Sequence, residues 1–407
     1  MTKRLILAFV FLSWHLVACS NGDSGISSGL PDKPSAEEDS PGTETISEEM
    51  RVKITGEDLY ISAKLDAKTD ILYWFKKCMF NELFTFYRVG TIDNNMPAPA
   101  TLPDASPTSL LNLAYSDNIG PFNITGYGWC GGNHPYLDEV TQTARNIGYR
   151  IYIDGKEIKI EVINEIMNPS KADTSSGKTL LNEILCIETV NYSIYRNNIQ
   201  VLVTHEFQNE SPVTVQMYYG MQSMFDKETH TLTANGKYVD WTVQKDVSTF
   251  TKKEYPSFRR FIEKSANVYQ SSYLFADGLG NHEEISDDDI IFIGNSSNKT
   301  YHKIIADREH KKGDIIHWSG VYTWFKSPVS DDDDLLCYEG VIDNKKVLFI
   351  DCKKNVDRTI QLPVDYTKKS FTIIEKSKSI TITGNKVTAK GLRIVSDGSG
   401  SCVITFD

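Results

Sequence analysis

Residues 150–162 read RIYIDGKEIKIEV, and this pattern predicts a β-hairpin. Apolar and polar side chains alternate on both sides of Asp154-Gly155, as they do in strands that bury one face. An Asp-Gly dipeptide favours the tight turn between such strands because both of its residues must adopt positive φ. Residues 150–162 are therefore expected to form two antiparallel strands.

The same form recurs further along the chain. Residues 191–205, NYSIYRNNIQVLVTH, repeat it with Asn197-Asn198 at the tip. Residues 213–219 alternate again, and residues 230–239 contain an Asn-Gly turn. Strands at this spacing, joined by hairpins, favour an antiparallel sandwich over βαβ units. We predict an all-β protein built on a large antiparallel β-sandwich.

An acidic run, SDDDD at residues 330–334, marks a predicted domain boundary. The like charges of such a run repel one another, so the segment is usually exposed to solvent. Residues beyond it alternate in short segments typical of strands. We predict a large β-sandwich domain over 51–329 and a small C-terminal β domain over 330–407.

Two segments show helical spacing instead. In residues 257–269, Phe258, Phe261 and Ile262 fall on one helical face behind Ser257, which is a suitable cap. Residues 67–81 have apolar residues at similar spacing, although they run into β-prone residues. We predict a helix in each segment.

The first 18 residues have the features of an export signal. Lys3 and Arg4 precede an apolar stretch, and residues 16–19, LVAC, end in Cys19. This arrangement resembles the lipobox of a bacterial lipoprotein signal peptide, and the apolar stretch is too short for a permanent membrane helix. The resemblance implies cleavage before Cys19, lipidation of its thiol and anchoring in a bacterial outer membrane, on the periplasmic or the cell-surface face. The alternative is an ordinary secretory signal.

The next segment, residues 19–50, is predicted to be a disordered tether. Ser, Gly, Pro, Asp and Glu dominate it, and such a composition buries too little apolar surface to fold. A spacer of this kind suits a folded body held on a lipid anchor.

Composition excludes several classes of function. The formal net charge of −11 argues against nucleic acid as a partner, because phosphate binding needs clustered Lys and Arg. The seven cysteines contain no Cys-x-x-Cys pair, and there is no His-Glu-x-x-His motif. The acidic runs lack the alternating ligand spacing of a calcium loop. We therefore predict no metal and no cofactor.

The most unusual segment is 117–136, DNIGPFNITGYGWCGGNHPY. Its glycines permit tight turns and a close approach of ligand to backbone. Tyr127, Trp129 and Tyr136 provide flat faces for sugar rings, while Asn133 and His134 supply hydrogen bonds and a titratable group. The segment predicts a ligand-binding loop; the alternative is an aromatic-packed loop with a structural histidine.

A second cluster combines His205 with residues 216–223, QMYYGMQS, which include Tyr218 and Gln222. If residues 209–212 form a turn, the flanking strands are hairpin neighbours and Tyr218 lies close to His205. A Tyr beside a His suits general acid–base chemistry, and cross-strand aromatic packing is the alternative. Arg260 belongs to the only Arg-Arg pair and is a candidate for binding a substrate carboxylate.

The whole arrangement resembles lipoproteins of the glycan-utilisation systems of Bacteroidota, and the body is similar to β-sandwich polysaccharide lyases. The resemblance implies a polysaccharide substrate that contains uronic acid, cleaved by β-elimination. Asn133 and Arg260 would then neutralise the carboxylate, whereas His134 or His205 and Tyr218 would move protons. It also implies an outer-membrane location and other glycan-utilisation proteins as partners.

Three alternatives remain open on sequence grounds. A non-catalytic surface glycan-binding protein would stack sugars on aromatic residues, for which the candidates are Tyr127, Trp129, Tyr136, Trp318 and Trp324. A glycoside hydrolase would need two opposed carboxylates, drawn from Asp138, Glu139 and Glu206. A structural or adhesive surface protein would need no small ligand.

Overall fold

Strands account for nearly all of the regular structure. The computed structural model of the chain describes residues 44–47, 49–78, 80–101, 109–112, 122–132, 138, 140–154, 156–224, 230–233, 238–240, 248–250, 260–265, 267–275, 291–294 and 299–406. These residues form antiparallel strands and two short 3-10 helices, Pro169–Lys171 and Val364–Tyr366, with no α-helix among them. They all belong to the unit Glu37–Asp407. The all-β prediction is confirmed.

Six strands in chain order form the N-terminal sheet. They are β1 (Glu44–Ser47), β2 (Met50–Thr55), β3 (Asp58–Asp66), β4 (Thr69–Cys78), β5 (Leu83–Asp93) and β6 (Ser109–Asn112). Each strand pairs with the next along the chain.

The next fifteen strands interleave between two sheets. They are β7 (Phe122–Ile124), β8 (Gly128–Cys130), β9 (Ala144–Asp154), β10 (Glu157–Met167), β11 (Ile184–Tyr195), β12 (Asn198–Phe207), β13 (Val213–Met224), β14 (His230–Thr233), β15 (Tyr238–Asp240), β16 (Ser248–Phe250), β17 (Arg260–Ser265), β18 (Val268–Leu274), β19 (Ile291–Gly294), β20 (Lys299–His310) and β21 (Ile315–Phe325). The nine-stranded sheet has the order β15-β14-β17-β18-β21-β12-β11-β10-β9. The second six-stranded sheet has the order β16-β19-β20-β13-β7-β8 and is called the β13 sheet below.

The remaining strands form a five-stranded and a three-stranded sheet. They are β22 (Ser330–Asp331), β23 (Leu335–Ile342), β24 (Lys345–Cys352), β25 (Val356–Ile360), β26 (Phe371–Lys376), β27 (Ile380–Ile382), β28 (Leu392–Ser396) and β29 (Gly400–Phe406). These two sheets share a core of their own between residues 335 and 406. The domain boundary at residue 330 stays a prediction.

One face of the nine-stranded sheet is covered by two other sheets. The N-terminal sheet packs on it through Tyr73, whose ring lies 5.4 Å from that of Trp324, and through Phe75, which lies 5.3 Å from Tyr192. The β13 sheet covers a different part of the same face, where Tyr218 contacts His205. A single apolar cluster therefore runs through all three sheets.

The opposite face is covered locally by the five-stranded C-terminal sheet. Phe325 of β21 stacks on Tyr338 of β23 with ring centroids 4.3 Å apart, and the Ser271 and Tyr338 hydroxyls lie 2.5 Å apart. Strand β18 and residues 320–325 of β21 are thus buried on both faces, and every residue of β18 is buried.

Both predicted helices are wrong. Residues 69–78 form β4, in which Tyr73 and Phe75 enter the core while Trp74 and Lys76 face away from it. Because large side chains lie on both faces of β4, its sequence does not show the alternation of apolar and polar residues that is typical of a strand. Within residues 257–269, residues 260–265 form β17 and β18 begins at Val268. Sheet pairing on both sides of β17 overrides the local helical spacing.

The tip of the 191–205 hairpin also differs from the prediction. The turn consists of Arg196 and Asn197, and β12 already begins at Asn198. Arg196 adopts a positive φ of 55°. The Asn198 side chain instead accepts hydrogen bonds from the Thr323 hydroxyl at 2.7 Å and the Val341 backbone N–H at 3.1 Å.

We expect Gly320→Ala to destabilise the fold, because a Cβ there would lie 2.5 Å from both the Tyr273 carbonyl oxygen and the Met221 sulfur. Overpacking of this kind costs about 1–3 kcal/mol in the free energy of unfolding, measurable by urea denaturation. Gly148→Ala is the matched strand control, since its Cβ would have no neighbour within 4 Å. It should be neutral or stabilising by up to about 1 kcal/mol. Equal stability of the two variants would contradict this view of the β18–β21 contact.

Candidate functional site

The structure describes some of the predicted site residues and not others. Asn133, His134 and Tyr136 lie outside the described residues, and so does Cys19. Arg260 is the first residue of β17, opposite Tyr273, but its side chain is outside the described part of the chain. The local geometry therefore concerns Tyr127, Trp129, His205, Tyr218 and Gln222.

The glycine-rich segment forms a short hairpin, β7–β8, at the edge of the β13 sheet. Its turn is closed by a 3.0 Å hydrogen bond from the Tyr127 N–H to the Ile124 carbonyl. Gly126 and Gly128 adopt φ of 81° and 83°, which explains glycine on both sides of Tyr127. Tyr127 is thereby held on a tight turn, with 40% of its surface exposed.

Trp129 lies on the face of this hairpin that points away from the core. Its ring stacks on Tyr219 of β13 with centroids 5.4 Å apart and an interplanar angle of 23°. Trp129 is half-buried and pairs in register with Asn123, which is also half-buried. We call Tyr127, Trp129 and Tyr219 the aromatic surface. Tyr127 is exposed and Trp129 is partly exposed, while the buried Tyr219 backs the Trp129 ring. Exposed rings beside an amide are the composition of a carbohydrate-stacking site.

His205 and Tyr218 are close together, as the sequence predicted, but for a different reason. The His205 Nδ1 atom lies 3.1 Å from the Tyr218 hydroxyl. The two strands are not hairpin partners, because β12 belongs to the nine-stranded sheet and β13 to the β13 sheet. The contact crosses the sandwich core, and neither residue has exposed surface.

His205 also ends a row of polar side chains on the core face of the nine-stranded sheet. Its Nε2 atom lies 2.7 Å from Glu188, whose other oxygen accepts a 2.7 Å hydrogen bond from Asn164. Asn146 donates to the Asn164 side-chain oxygen at 2.9 Å. These residues are register partners on β9, β10, β11 and β12. We call Asn146, Asn164, Glu188, His205 and Tyr218 the polar ladder.

Burial in the ladder decides the protonation of Tyr218. Burial, followed by the charge of Glu188, raises the pKa of Tyr218 well above its usual value. The hydroxyl therefore stays protonated, which suits a donor in a structural network and not a base.

Sequence reasoning missed Asn146, Asn164 and Glu188. The signal was present, because Asn164 and Glu188 occupy core-facing positions in strands whose other core-facing residues are mainly apolar. A polar residue in such a position needs a buried partner.

Three further candidates are buried. Trp318 and Trp324, proposed as sugar-stacking residues, have no exposed surface and belong to the core. The Trp318 ring packs against Gly220, and a Cβ added to that glycine would lie only 3.0 Å from the ring. Gln222 is 3% exposed, and its backbone carbonyl accepts the Tyr322 hydroxyl at 2.9 Å. In this structure none of the three offers its side chain to a ligand at the surface.

The carboxylates considered for glycoside hydrolysis do not form a described pair. Asp138 is exposed and accepts hydrogen bonds from Thr141, which lower its pKa. Glu206 is exposed on β12, and Glu139 lies outside the described residues. Among the described residues, no three His, Cys, Asp or Glu side chains come together as a metal site, and no helix is long and apolar enough to span a membrane.

No known family model matches the sequence, and no curated protein matches it. Among solved structures, it is similar to a TPR-domain containing protein from Parabacteroides distasonis ATCC 8503, with 8% identity and a TM-score of 0.33 over 68% of this chain and 49% of that one. It is also similar to the chondroitin AC lyase of Streptomyces coelicolor A3 in complex with chondroitin sulphate, with 8% identity and a TM-score of 0.23 over 86% and 48%. This chain spans about half the length of each. We therefore derive function from this chain's own residues.

Removal of His205 should strongly destabilise the fold, because it leaves one oxygen of the buried Glu188 carboxylate without its 2.7 Å contact to the His205 ring. We expect His205→Ala to lower the free energy of unfolding by about 3–5 kcal/mol. Tyr218→Phe should cost about 1–3 kcal/mol, since it removes the buried hydroxyl that lies 3.1 Å from the His205 Nδ1 atom. Denaturant unfolding measures both, with Glu206→Ala as the exposed control on the same strand. A His205→Ala variant within about 0.5 kcal/mol of the wild type would show that the ladder is not structural.

Proposed function

We propose that this chain is a lipid-anchored, carbohydrate-active protein that binds polysaccharide through the aromatic surface on the β7–β8 hairpin. The observation that carries the proposal is the Trp129–Tyr219 stack beside the 40% exposed Tyr127. A 3.0 Å hydrogen bond from the Tyr127 N–H to the Ile124 carbonyl closes the turn, so the backbone that carries the rings is already ordered before a sugar packs there.

The described geometry supports glycan binding better than glycan cleavage. A lyase needs its acid and base within hydrogen-bond reach of the substrate. The pair predicted for that role, His205 and Tyr218, is buried in the core and committed to the polar ladder. Cleavage would therefore have to rely on His134, with Asn133 and Arg260 at the carboxylate. Glycan cleavage is the second candidate function because the sequence resembles polysaccharide lyases.

The N-terminal signal supports the cellular setting of this proposal. Lipidation at Cys19 and the part of the predicted tether that precedes β1 would hold the body at an outer membrane, on the periplasmic or cell-surface face. Residues 44–47 and Met50, which the tether prediction included, belong to strands of the N-terminal sheet. Polysaccharide is abundant at that location, and other glycan-utilisation proteins would be neighbours there. Mass spectrometry of the mature N-terminus tests the anchor, because an unmodified Cys19 would rule it out.

We expect Trp129→Ala to weaken glycan binding about tenfold or more, because an aromatic anchor contributes roughly 2 kcal/mol at a binding site. Affinity electrophoresis in gels that contain single polysaccharides measures the retardation. Trp129→Phe should retain most of it. Tyr152→Ala is the matched control, since Tyr152 is 47% exposed on β9 in another sheet. If Tyr152→Ala and Trp129→Ala lose the same amount of glycan binding, the aromatic surface is not the binding site.

The same polysaccharides separate binding from cleavage. A lyase releases unsaturated uronide ends, which absorb in the ultraviolet, whereas a binding protein does not. A rising absorbance that disappears in His134→Ala would replace the binding proposal with the lyase. Retardation in the gel without new absorbance would support binding.

A further inference from the structure

A second cluster with binding character lies on the outer face of the N-terminal sheet. Trp74 and Lys76 alternate along β4, on the face opposite to the buried Tyr73 and Phe75. Arg88 of β5 is the register partner of Trp74, and Tyr87 sits beside it at a β-bulge. We call Trp74, Lys76, Tyr87 and Arg88 the cationic-aromatic cluster. All four side chains are half-buried.

Aromatic rings fix the two cations of this cluster. The Lys76 ammonium lies 4.7 Å from the Trp74 ring centroid and 4.2 Å from that of Tyr87, while the Arg88 guanidinium lies 4.7 Å from the Tyr87 centroid. Tyr87 meets Trp74 edge-on at 4.9 Å. Cation–π contacts of this kind order a long side chain and leave its charge in place.

The charges are not neutralised by described carboxylates. Within the described part of the chain, neither Lys76 nor Arg88 forms an ion pair, although nearby Lys64 pairs with Asp70 at 2.8 Å and Lys77 pairs with Glu57 at 3.1 Å. Two like charges that share the Tyr87 ring repel each other. An anion placed between them would remove that repulsion.

Two hydrogen-bond donors in the cluster are also unused. The Trp74 Nε1 and Arg88 Nε atoms are buried and have no hydrogen-bond partner among the described residues. Both atoms are shielded from solvent, so a bound acceptor would reach them only after a side-chain rearrangement. The two cations match the several oxygens of a carboxylate or a sulfate.

From this juxtaposition we infer that the cationic-aromatic cluster binds a carboxylate or sulfate group of an acidic polysaccharide. The inference deepens the proposed function and rests on it for the kind of ligand. In a chain of net charge −11, a local pair of unneutralised cations selects an anionic sugar over a neutral one. The partly exposed rings of Trp74 and of Tyr60, which packs on it at 5.4 Å, provide sugar-facing surface beside the charges.

An anionic membrane surface fits the cluster less well. Electrostatic adsorption to acidic lipid draws on clusters of about four to eight Lys and Arg residues. Here two cations are free of carboxylates among the described residues, and the aromatic rings that hold them are half-buried. We therefore commit to polysaccharide.

Titration with oligogalacturonate and with heparin oligosaccharides, monitored by calorimetry, tests the inference. Lys76→Met and Arg88→Gln should each weaken binding about tenfold or more, the value of a hydrogen bond to a charged group. Lys77→Met is the matched control, because it changes the net charge equally, one residue along β4, at a lysine that is already ion-paired. Its affinity should stay within about twofold of wild type. Equal urea midpoints for the wild type and all variants would show that folding is intact.

Several outcomes would overturn the inference. Equal weakening by Lys76→Met and Lys77→Met would show a general charge effect, and unchanged affinity in Lys76→Met and Arg88→Gln would exclude the cluster. So would binding to phosphatidylserine vesicles that depends on Lys76 while oligosaccharide binding does not. Trp129→Ala separates this result from the proposed function. If only Trp129→Ala loses binding, the aromatic surface is the glycan site and the cluster is not. If only Lys76→Met and Arg88→Gln lose binding, the cluster is the glycan site and the aromatic surface is not.

Discussion

The need to cover the nine-stranded sheet governs the arrangement of the other sheets. Its inner face presents apolar side chains along β10, β11, β12 and β21, and the N-terminal sheet and the β13 sheet bury different parts of it. At β18 and β21 the outer face is apolar too, and the five-stranded C-terminal sheet covers it. Hydrophobic burial is non-directional, so it accounts for three covering sheets without specifying their positions.

The polar ladder supplies the specificity that apolar burial lacks. Its hydrogen bonds join four strands of the nine-stranded sheet in register and then cross to Tyr218 in the β13 sheet. A shift of one residue in any of these strands would turn its ladder member to the other face and break the buried hydrogen bonds of that member. The ladder therefore opposes register slips and misplacement of the β13 sheet. His205 and Tyr218, which resemble an acid–base pair in the sequence, are buried in the core and joined to this network.

The surfaces that remain for function are on the outer sides of the covering sheets. The aromatic surface lies on the β13 sheet and the cationic-aromatic cluster on the N-terminal sheet. Each has half-buried rings on strands, Trp129 in the first and Trp74 and Tyr87 in the second, so the protein presents ordered side chains on a rigid support, as binding sites require. The two differ in chemistry: the first is uncharged in its described members, and the second has two cations in an acidic chain. On the two proposals above, an acidic polysaccharide would be bound by stacking at the first and by charge at the second.

The sequence alone determined the fold class. Strands that bury one face alternate apolar and polar residues, and tight hairpins favour Asp-Gly or Asn-Gly turns, so both features can be read locally from the sequence. It failed at β4 and β17, where large side chains on both faces or chance helical spacing hid that alternation. It placed His205 near Tyr218 but could not show which sheets hold them, since pairing across a core joins residues that no local pattern relates. Only the tertiary structure decided that Trp318, Trp324 and Gln222 are interior while Trp129 and Lys76 lie on outer faces. The physical reason is that the burial of a side chain depends on which sheet covers its strand, and that is settled by contacts between residues far apart in the chain.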